Sequence, residues 1–381
     1  MNVSIIGVGI TPFGKFPHLN LENLGFAAAW EAIRDAGLTP ADIQTAYSGN
    51  ALASQLFGEF TIGQKILWGL GIHQIPVINV ENACTSGSTA FYLACLAIES
   101  GAAEVALVLG VEKMYVPIKK VLDAGANDLE TKLGFIVPGS FAMRANSYIK
   151  EYGLRPEEMA LVSVKNHQHG ALNPNAQYKE TVTVEEVLGS PMVVSPLTRL
   201  SCCPQGDGAA AVVICRSDMA KRFGSKAVQV KASVLLSGSY DNPPHLAQWP
   251  ADTRSAQKAY QQAGLGPEDL DVIELHDAFT IAEIIHYEGL GLCPPGEGGK
   301  LLKERKTWLG GSIPVNPSGG LLAKGHPVGA TGVAQIVEIV QQLRGVAGAR
   351  QVPKAKVGLA HCMGGDLQGD ARSVTINILA V

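Results

Sequence analysis

The stretch Ala36-Gly37-Leu38-Thr39-Pro40-Ala41-Asp42-Ile43 returns later in the chain as Ala263-Gly264-Leu265-Gly266-Pro267-Glu268-Asp269-Leu270, with glycine and proline at the same offset. In both copies an amphipathic pattern ends in Ala-Gly-Leu, and the glycine suits the left-handed position that closes a helix. The proline that follows suits the first position of a second, short helix. A β-rich run precedes each copy and another strand-like run follows it. The sequence therefore predicts a duplicated unit.

The later parts of the two halves also correspond. Helices are predicted over residues 88–100 and 329–344, and each leads into a strand, at 105–110 and 357–360. Alternating strands and helices indicate mostly parallel sheets covered by helices, so the fold class is α/β. Both helices are poor in charge on all sides, as burial between two sheets requires. We expect two sheets packed through shared central helices.

A segment between the halves breaks the repeat and is richer in charge. It is interpreted as an inserted cap domain over residues 118–191, with helices at 141–152 and 156–169. We expect residues 1–117 to form the N-terminal half, together with residues 192–225. Residues 226–381 then form the C-terminal half. The alternative is that the insert is a disordered linker. The helical patterns within the insert oppose this alternative.

Composition excludes several classes of function. The 381-residue chain has a net charge of −4 and no cluster of Lys and Arg interleaved with aromatic residues, which argues against a nucleic-acid partner. Its seven cysteines include no CxxC pair, so neither a disulfide framework nor a metal site is indicated. The first residues fit a strand better than a signal peptide, and no apolar run is long enough to span a membrane. We expect a cytoplasmic location.

Four short segments carry the candidate chemistry. Each places a cysteine or a histidine where a strand-like run ends or a helix begins. They are Asn82-Ala83-Cys84-Thr85-Ser86-Gly87, His276-Asp277-Ala278-Phe279, Gly325-His326-Pro327-Val328-Gly329 and His361-Cys362-Met363-Gly364-Gly365. Two thiols and two imidazoles suffice to make or break a carbon–carbon bond through a thioester.

The first thiol, Cys84, precedes a predicted helix. A thiol at a helix N-terminus faces unpaired N–H groups, which can lower its pKa by about 1 unit from ~8.5. His326, held between a glycine and a proline, can take the proton from such a thiol. The alternatives are an inert buried cysteine and a histidine that caps a helix.

The second thiol, Cys362, follows a strand and is suited to carry a proton during acid–base catalysis. Gly364 can offer its N–H to an oxyanion, and His276 can donate to a carbonyl oxygen. His361 points the other way along the strand and is excluded. Asp277 is interpreted as a helix N-cap, and a structural cysteine is the alternative for Cys362.

Together these motifs resemble the thiolase superfamily over essentially the whole chain, and most closely the sterol-carrier-protein type. The resemblance implies that Cys84 accepts the acyl group, that His326 activates it and that His276 completes an oxyanion hole. It implies that Cys362 is the acid/base and that the backbone N–H groups of Cys84 and Gly364 form a second hole. Cys203 occupies a position that lines the pantetheine channel in the family.

The resemblance also implies a fold and partners. The fold is a five-layer α-β-α-β-α sandwich of duplicated βαβ half-units. Coenzyme A is a co-substrate, no cofactor is tightly bound, and the core is a homodimer that in some relatives pairs with a small OB-fold and zinc-ribbon subunit. Sterol-carrier-type enzymes carry a cysteine where this chain has Ala278. The remaining alternatives are a ketoacyl synthase, a thiolase-like aldolase and a non-catalytic lipid-binding subunit.

Overall fold

The computed structural model describes residues 1–116, 129–223, 227–239, 245–367 and 369–381. Residues 117–128, where the predicted cap begins, lie outside the described part. The α/β prediction is confirmed. The strands are β1 Val3–Ile10, β2 Thr45–Gly49, β3 Val77–Val80, β4 Val105–Glu112, β5 Met192–Val194, β6 Leu197–Thr198, β7 Gly208–Arg216, β8 Val228–Leu236, β9 Val272–Glu274, β10 Val357–Leu367 and β11 Asp370–Ala380.

Helices cover and separate these strands. Short 3-10 turns connect several of them. The α-helices are α1 Leu21–Asp35, α2 Ala53–Phe57, α3 Ile62–Gly69, α4 Ser86–Glu99, α5 Leu129–Lys132, α6 Val137–Tyr152, α7 Pro156–Ala171, α8 Val184–Gly189, α9 Pro250–Ala263, α10 Thr280–Gly289, α11 Gly298–Lys303 and α12 Val328–Leu343. Among the helices that the structure describes, none is long and apolar enough to cross a membrane.

The sheet shows the duplication directly. Nine of the described strands follow the order β3-β2-β4-β7-β1-β8-β11-β10-β9. The order β2-β4-β7-β1 in the first half is repeated as β9-β10-β11-β8 in the second. The two predicted sheets are joined at one edge, because β1 and β8 pair antiparallel where the halves meet. That pairing covers only Ser4 with Gln229 and Ile5 with Val228, so the two half-sheets diverge beyond it.

Both copies of the repeated stretch adopt the conformations that the sequence predicts. Gly37 and Gly264 have φ angles of 70° and 68°, the left-handed conformation that ends α1 and α9. Pro40 and Pro267 each begin a 3-10 turn. The chain then enters β2 and β9, which are equivalent strands in the two halves.

Two central helices, α4 and α12, lie between the half-sheets, whereas α1 covers β1 and β7 and α9 covers β8 and β11. The central helices approach closely where they begin. A Cβ atom on Gly87 would lie 2.5 Å from the carbonyl oxygen of Gly329, so only glycine allows this contact. Because the helices begin at the same place, the turns that precede them are brought together.

The segment between the halves packs onto the C-terminal half. Its helices α6 and α7 match the two predicted for it. The ring of Phe141 on α6 stacks on that of Phe279, with centroids 4.2 Å apart. On α7, the side-chain amide of Asn166 donates to Asp277 over 2.7 Å. Both partners belong to the His276–Phe279 segment, so these helices contact one of the four candidate motifs.

Candidate active site

Cys84 lies on a tight turn between β3 and α4. Ala83 has a φ angle of 47°, a left-handed conformation that is rare outside glycine. The N–H of Thr85 donates to the Asn82 carbonyl over 3.1 Å, and that of Ser86 donates to Ala83 over 3.1 Å. The chain therefore reverses within a few residues and leaves the partly exposed Cys84 beside the first turn of α4. Strained backbone of this kind often marks a functional position.

His326 approaches this thiol from the start of α12. Its Nε2 lies 3.3 Å from the Sγ of Cys84, and its Nδ1 lies 2.8 Å from the hydroxyl of Thr331. That hydroxyl donates its own proton to the Pro327 carbonyl over 3.0 Å, so it accepts from Nδ1. The hydrogen-bond network thus assigns the proton of the neutral ring to Nδ1. The lone pair of Nε2 faces the sulfur.

Glu112, at the end of β4, holds the turns around this pair. Its buried carboxylate accepts from the N–H of Ala51 at 2.9 Å and that of Gly329 at 3.0 Å, and from the Asn50 amide at 2.8 Å. Burial raises the pKa of Glu112 to about 7, although these donors oppose the shift. The carboxylate joins the loop after β2 to the start of α12, so it positions the helix that follows His326.

Cys362 reaches the same turn from β10. Its Sγ donates to the carbonyl oxygen of Cys84 over 3.1 Å. Hydroxyl pairs join α4 to β11, the neighbour of β10: Thr85 with Ser373 at 2.6 Å and Thr375 with Ser88 at 2.7 Å. The two predicted thiols, 278 residues apart in sequence, therefore meet at one place.

His276 lies beside the two thiols and His326. It is 2% exposed, and its ring centroid lies 5.2 Å from that of His326. Neither of its ring nitrogens has a hydrogen-bond partner among the residues that the structure describes. A buried imidazole without partners is costly, which suggests that a bound molecule completes its hydrogen bonds. All four predicted side chains thus surround one small region.

The expectation of a lowered pKa for Cys84 is wrong. Burial raises the pKa of its thiol to about 12, although the nearby backbone N–H of Gly365 opposes the shift. Burial also lowers the pKa of His326 to about 3, with a further contribution from the nearby Lys324. Thiol and imidazole are therefore both neutral at rest, and the sulfur must lose its proton as it reacts.

This resting state predicts the pH dependence of alkylation at Cys84. Iodoacetamide reacts with thiolate, so its rate should rise about tenfold per pH unit between about pH 6 and pH 9. Peptide mass spectrometry at each pH would measure carboxamidomethylation of Cys84, with the Cys84→Ala protein as the blank. A rate that levels off near neutral pH would instead show a preformed thiolate–imidazolium pair.

The remaining predicted residues lie close by. The backbone N–H near the sulfur of Cys84 belongs to Gly365, next to the predicted Gly364. A Cβ on Gly364 would lie 2.8 Å from the Thr85 hydroxyl, so this strand passes directly against the Cys84 turn. The N–H of Cys203 donates to the Ala278 carbonyl over 2.9 Å, which places a third thiol beside the His276 segment.

Asp277 does not cap the helix that follows it. Its carboxylate accepts instead from the N–H groups of Leu321 and Leu322, at 2.7 and 3.2 Å. These belong to the helical turn Gly320–Lys324, directly before His326. The N-cap prediction for α10 is therefore wrong, since the side chain turns toward a segment far away in sequence. The contact joins the two histidine motifs.

Sequence reasoning missed a buried cluster behind the site. Asp252 accepts from His286 Nδ1 at 2.5 Å and from His361 Nε2 at 3.1 Å, and all three side chains are fully buried. His361 does face away from the thiols, as predicted, and its Nδ1 accepts from the N–H of His276 at 3.5 Å. These residues are widely separated in sequence, and only the adjacency of His361 to Cys362 pointed to the cluster.

A duplicated α/β fold with a cysteine–histidine pair and a second thiol between its halves defines an enzyme that handles acyl thioesters. Residues 3–218 match the family described as "Thiolase, N-terminal domain", and residues 238–377 match "Thiolase C-terminal domain-like". The chain belongs to the thiolase family and is an acyltransferase.

Several characterised proteins are similar to this chain. Benzoylsuccinyl-CoA thiolase subunit BbsB of Thauera aromatica is 40% identical over 95% of this chain and 94% of its own length. Acetyl-CoA acetyltransferase of Methanothermobacter thermautotrophicus is 40% identical over 96% of both chains. Human sterol carrier protein 2 is 37% identical over 95% of this chain and 70% of its own length. The predicted resemblance is confirmed.

Solved structures agree on the fold. The Ltp2-ChsH2(DUF35) aldolase structure superposes with a TM-score of 0.85 and 26% identity, and it covers 100% of this chain and 98% of that one. Human mitochondrial 3-ketoacyl-CoA thiolase gives a TM-score of 0.75 at 18% identity, covering 100% of this chain and 98% of that one. The thiolase fold predicted from the sequence is therefore confirmed.

Proposed function

We propose that this thiolase cleaves a 3-oxoacyl-CoA with coenzyme A, or runs the reverse Claisen condensation, through an acyl group on Cys84. One observation carries the proposal. The Sγ of Cys84 lies 3.3 Å from His326 Nε2, and Cys362 donates to the Cys84 backbone over 3.1 Å. A nucleophile, its base and a second proton carrier are thus in contact.

In the first half-reaction, the Cys84 sulfur attacks the 3-oxo carbon while its proton moves to Nε2 of His326. The oxyanion accepts from the backbone N–H groups of Cys84 and Gly364, to which we add that of Gly365. The C2–C3 bond then breaks, and His326 and His276 stabilise the enolate that leaves. Cys362 protonates its carbon and becomes a thiolate. Removing a single donor from such a hole costs about 3 kcal/mol.

In the second half-reaction, the thiol of coenzyme A attacks the acyl group on Cys84. The Cys362 thiolate takes the proton of the incoming thiol, and His326 returns its proton to the departing sulfur of Cys84. Each group ends the cycle in its starting state. Coenzyme A is therefore a co-substrate, and the scheme needs no tightly bound cofactor. Cys203, beside the His276 segment, lines the channel for its pantetheine arm.

The division into two halves and a cap fits this reaction. Residues 1–117 with 192–225 supply Cys84, and residues 226–381 supply the other three groups. Residues 129–191 contact the His276 motif through Phe141 and Asn166, so we assign the predicted cap, 118–191, to the acyl pocket. Incubation with a panel of acyl-CoAs and mass detection of a covalent adduct would test the assignment and identify the acyl group.

A thiolase-like aldolase is the second candidate, because the Ltp2-ChsH2(DUF35) aldolase superposes closely. The contact between Cys84 and His326 favours the thiolase, since an aldol cleavage needs no acyl–cysteine intermediate. Consumption of coenzyme A in step with cleavage separates the two, because only the thiolase requires it.

We also propose a cytoplasmic homodimer that works with a small OB-fold and zinc-ribbon subunit. One relative is named as a subunit of benzoylsuccinyl-CoA thiolase, and one structural neighbour is a complex with a DUF35 protein. Purification of the untagged chain from its host as a pure homo-oligomer with full activity would contradict the need for that partner.

A further inference from the structure

We propose that Cys84, His276 and His326 form a zinc site, through which Zn²⁺ reversibly occupies the catalytic centre. One donor atom from each of the three side chains lies within 4.8 Å of the other two. A thiolate with two imidazoles is a donor set that zinc prefers, and three protein ligands leave a fourth position open. The spacing of residues in the sequence does not indicate this site, because its members are far apart in the chain.

The spacing of the donors suits the ion. With Zn–S and Zn–N bonds of about 2.3 and 2.0 Å, the 3.3 Å between Cys84 Sγ and His326 Nε2 corresponds to a bond angle of about 100°. That angle is close to tetrahedral, so the pair needs little movement to bind an ion between them.

His326 is already in the tautomer that binds a metal. Its Nδ1 donates to the Thr331 hydroxyl at 2.8 Å, and that hydroxyl donates to the Pro327 carbonyl. Metal-bound histidines usually donate their second nitrogen in this way, which fixes the ring and strengthens the ligand. Nε2 is thus free to coordinate without a change of tautomer.

His276 supplies the third ligand. It is 2% exposed, and within the described part of the chain both of its ring nitrogens lack a hydrogen-bond partner. Many thiolases have an asparagine at this position, and a side-chain amide is a poor ligand for zinc compared with imidazole. We therefore expect the zinc affinity to depend on this histidine.

A second group of three donors, Asp252, His286 and His361, does not offer such a site. Its carboxylate lies 2.5 and 3.1 Å from the two rings, as hydrogen-bonded partners do. Two ligands of one tetrahedral zinc are about 3.3 Å apart. The three side chains are therefore hydrogen-bonded to one another. A variant of Asp252 serves as a control in the experiment.

Binding is an exchange of a proton for the metal. The Cys84 thiol releases its proton to solvent as the Zn–S bond forms, and no group is oxidised or reduced. The Nε2 lone pair of His326 and the sulfur of Cys84 would then both coordinate zinc, so neither group could take part in a reaction with a thioester. The metal site rests on geometry alone, whereas its inhibitory effect rests on the proposed function.

Cobalt(II) provides a readout that does not depend on activity. Titration of the purified chain with Co²⁺ should give a sulfur-to-cobalt charge-transfer band, which added Zn²⁺ removes. Cys84→Ala should abolish the band, and His276→Asn should weaken Co²⁺ binding at least tenfold. Cys362→Ala, Cys203→Ala and Asp252→Asn should keep the band, and circular dichroism would check that each variant is folded.

Two results would overturn the site: a band that persists in Cys84→Ala, or equal Co²⁺ affinity in wild type, His276→Asn and His276→Gln. In the activity arm, Zn²⁺ should inhibit wild type and EDTA should restore its rate. Cobalt binding without turnover of any acyl-CoA, either by the chain alone or by the complex purified from its host, would defeat the proposed function and leave the metal site standing. Turnover without cobalt binding would defeat the metal site and leave the proposed function standing.

Discussion

Cys84→Ala is expected to lower kcat/KM for cleavage of a 3-oxoacyl-CoA by about 10⁴-fold or more and to eliminate the acyl-enzyme adduct. Removal of the nucleophile in enzymes with a covalent intermediate has effects of this size, because the remaining groups act only with it. In Cys84→Ala the lone pair of His326 faces no sulfur, so the base has no proton to take. Steady-state kinetics and intact-protein mass spectrometry would measure both effects.

Cys203→Ala is the matched control, since its thiol lies beside the same motif and takes no part in bond making. It should keep the adduct and lose activity only through weaker coenzyme A binding, which would appear in KM. Full turnover by Cys84→Ala, or an adduct of unchanged yield on another cysteine, would contradict the mechanism.

Much of the fold could be predicted from local patterns. Gly37 and Gly264 end equivalent helices in the left-handed conformation, and the β8 bounds, Val228–Leu236, agree with the β-rich run in the sequence. These features depend on neighbouring residues, which a sequence displays directly. The pairing of β1 with β8 could not be found in this way. It depends on how two distant halves come together, and no local pattern encodes it.

The residues that form the site could be predicted from the sequence, whereas their pKa values could not. Cysteine and histidine at the ends of strands marked Cys84, His276, His326 and Cys362. The pKa of Cys84 was predicted in the wrong direction, because a helix N-terminus favours the thiolate whereas burial opposes it, and the depth of burial is a tertiary property. Glu112 escaped notice for the same reason, since its donors come from two segments that are far apart in sequence.

The neutral pair has a consequence for catalysis. With the thiol pKa near 12 and the imidazole pKa near 3, ionisation of the free pair is strongly unfavourable near pH 7. In the proposed mechanism, charge develops only when an oxyanion forms and the backbone donors stabilise it. We therefore expect Cys84 to react slowly with alkylating and oxidising reagents between turnovers, because both reactions need the thiolate.

Cys362→Ala is expected to separate the two chemistries of the site. Acyl transfer from a simple acyl-CoA to Cys84 expels the thiolate of coenzyme A, which can leave without the proton of Cys362, so the yield and rate of adduct formation should stay within about threefold of wild type. Cleavage of a 3-oxoacyl-CoA also needs a proton at the carbon that leaves. Loss of a positioned general acid typically costs 10²–10⁴-fold, so kcat for cleavage should fall by about 10³-fold.

The comparison is meaningful because the hydrogen bond of Cys362 goes to the backbone carbonyl of Cys84 and not to its sulfur. Cys362→Ser keeps a hydrogen-bond donor with a higher pKa, so it should preserve the turn and restore little of the cleavage rate. Exchange of deuterium into the α-carbon of the shorter acyl-CoA gives an independent readout, and it should disappear in both variants. Equal loss of adduct formation and cleavage would show that Cys362 supports the Cys84 turn and does not move the proton.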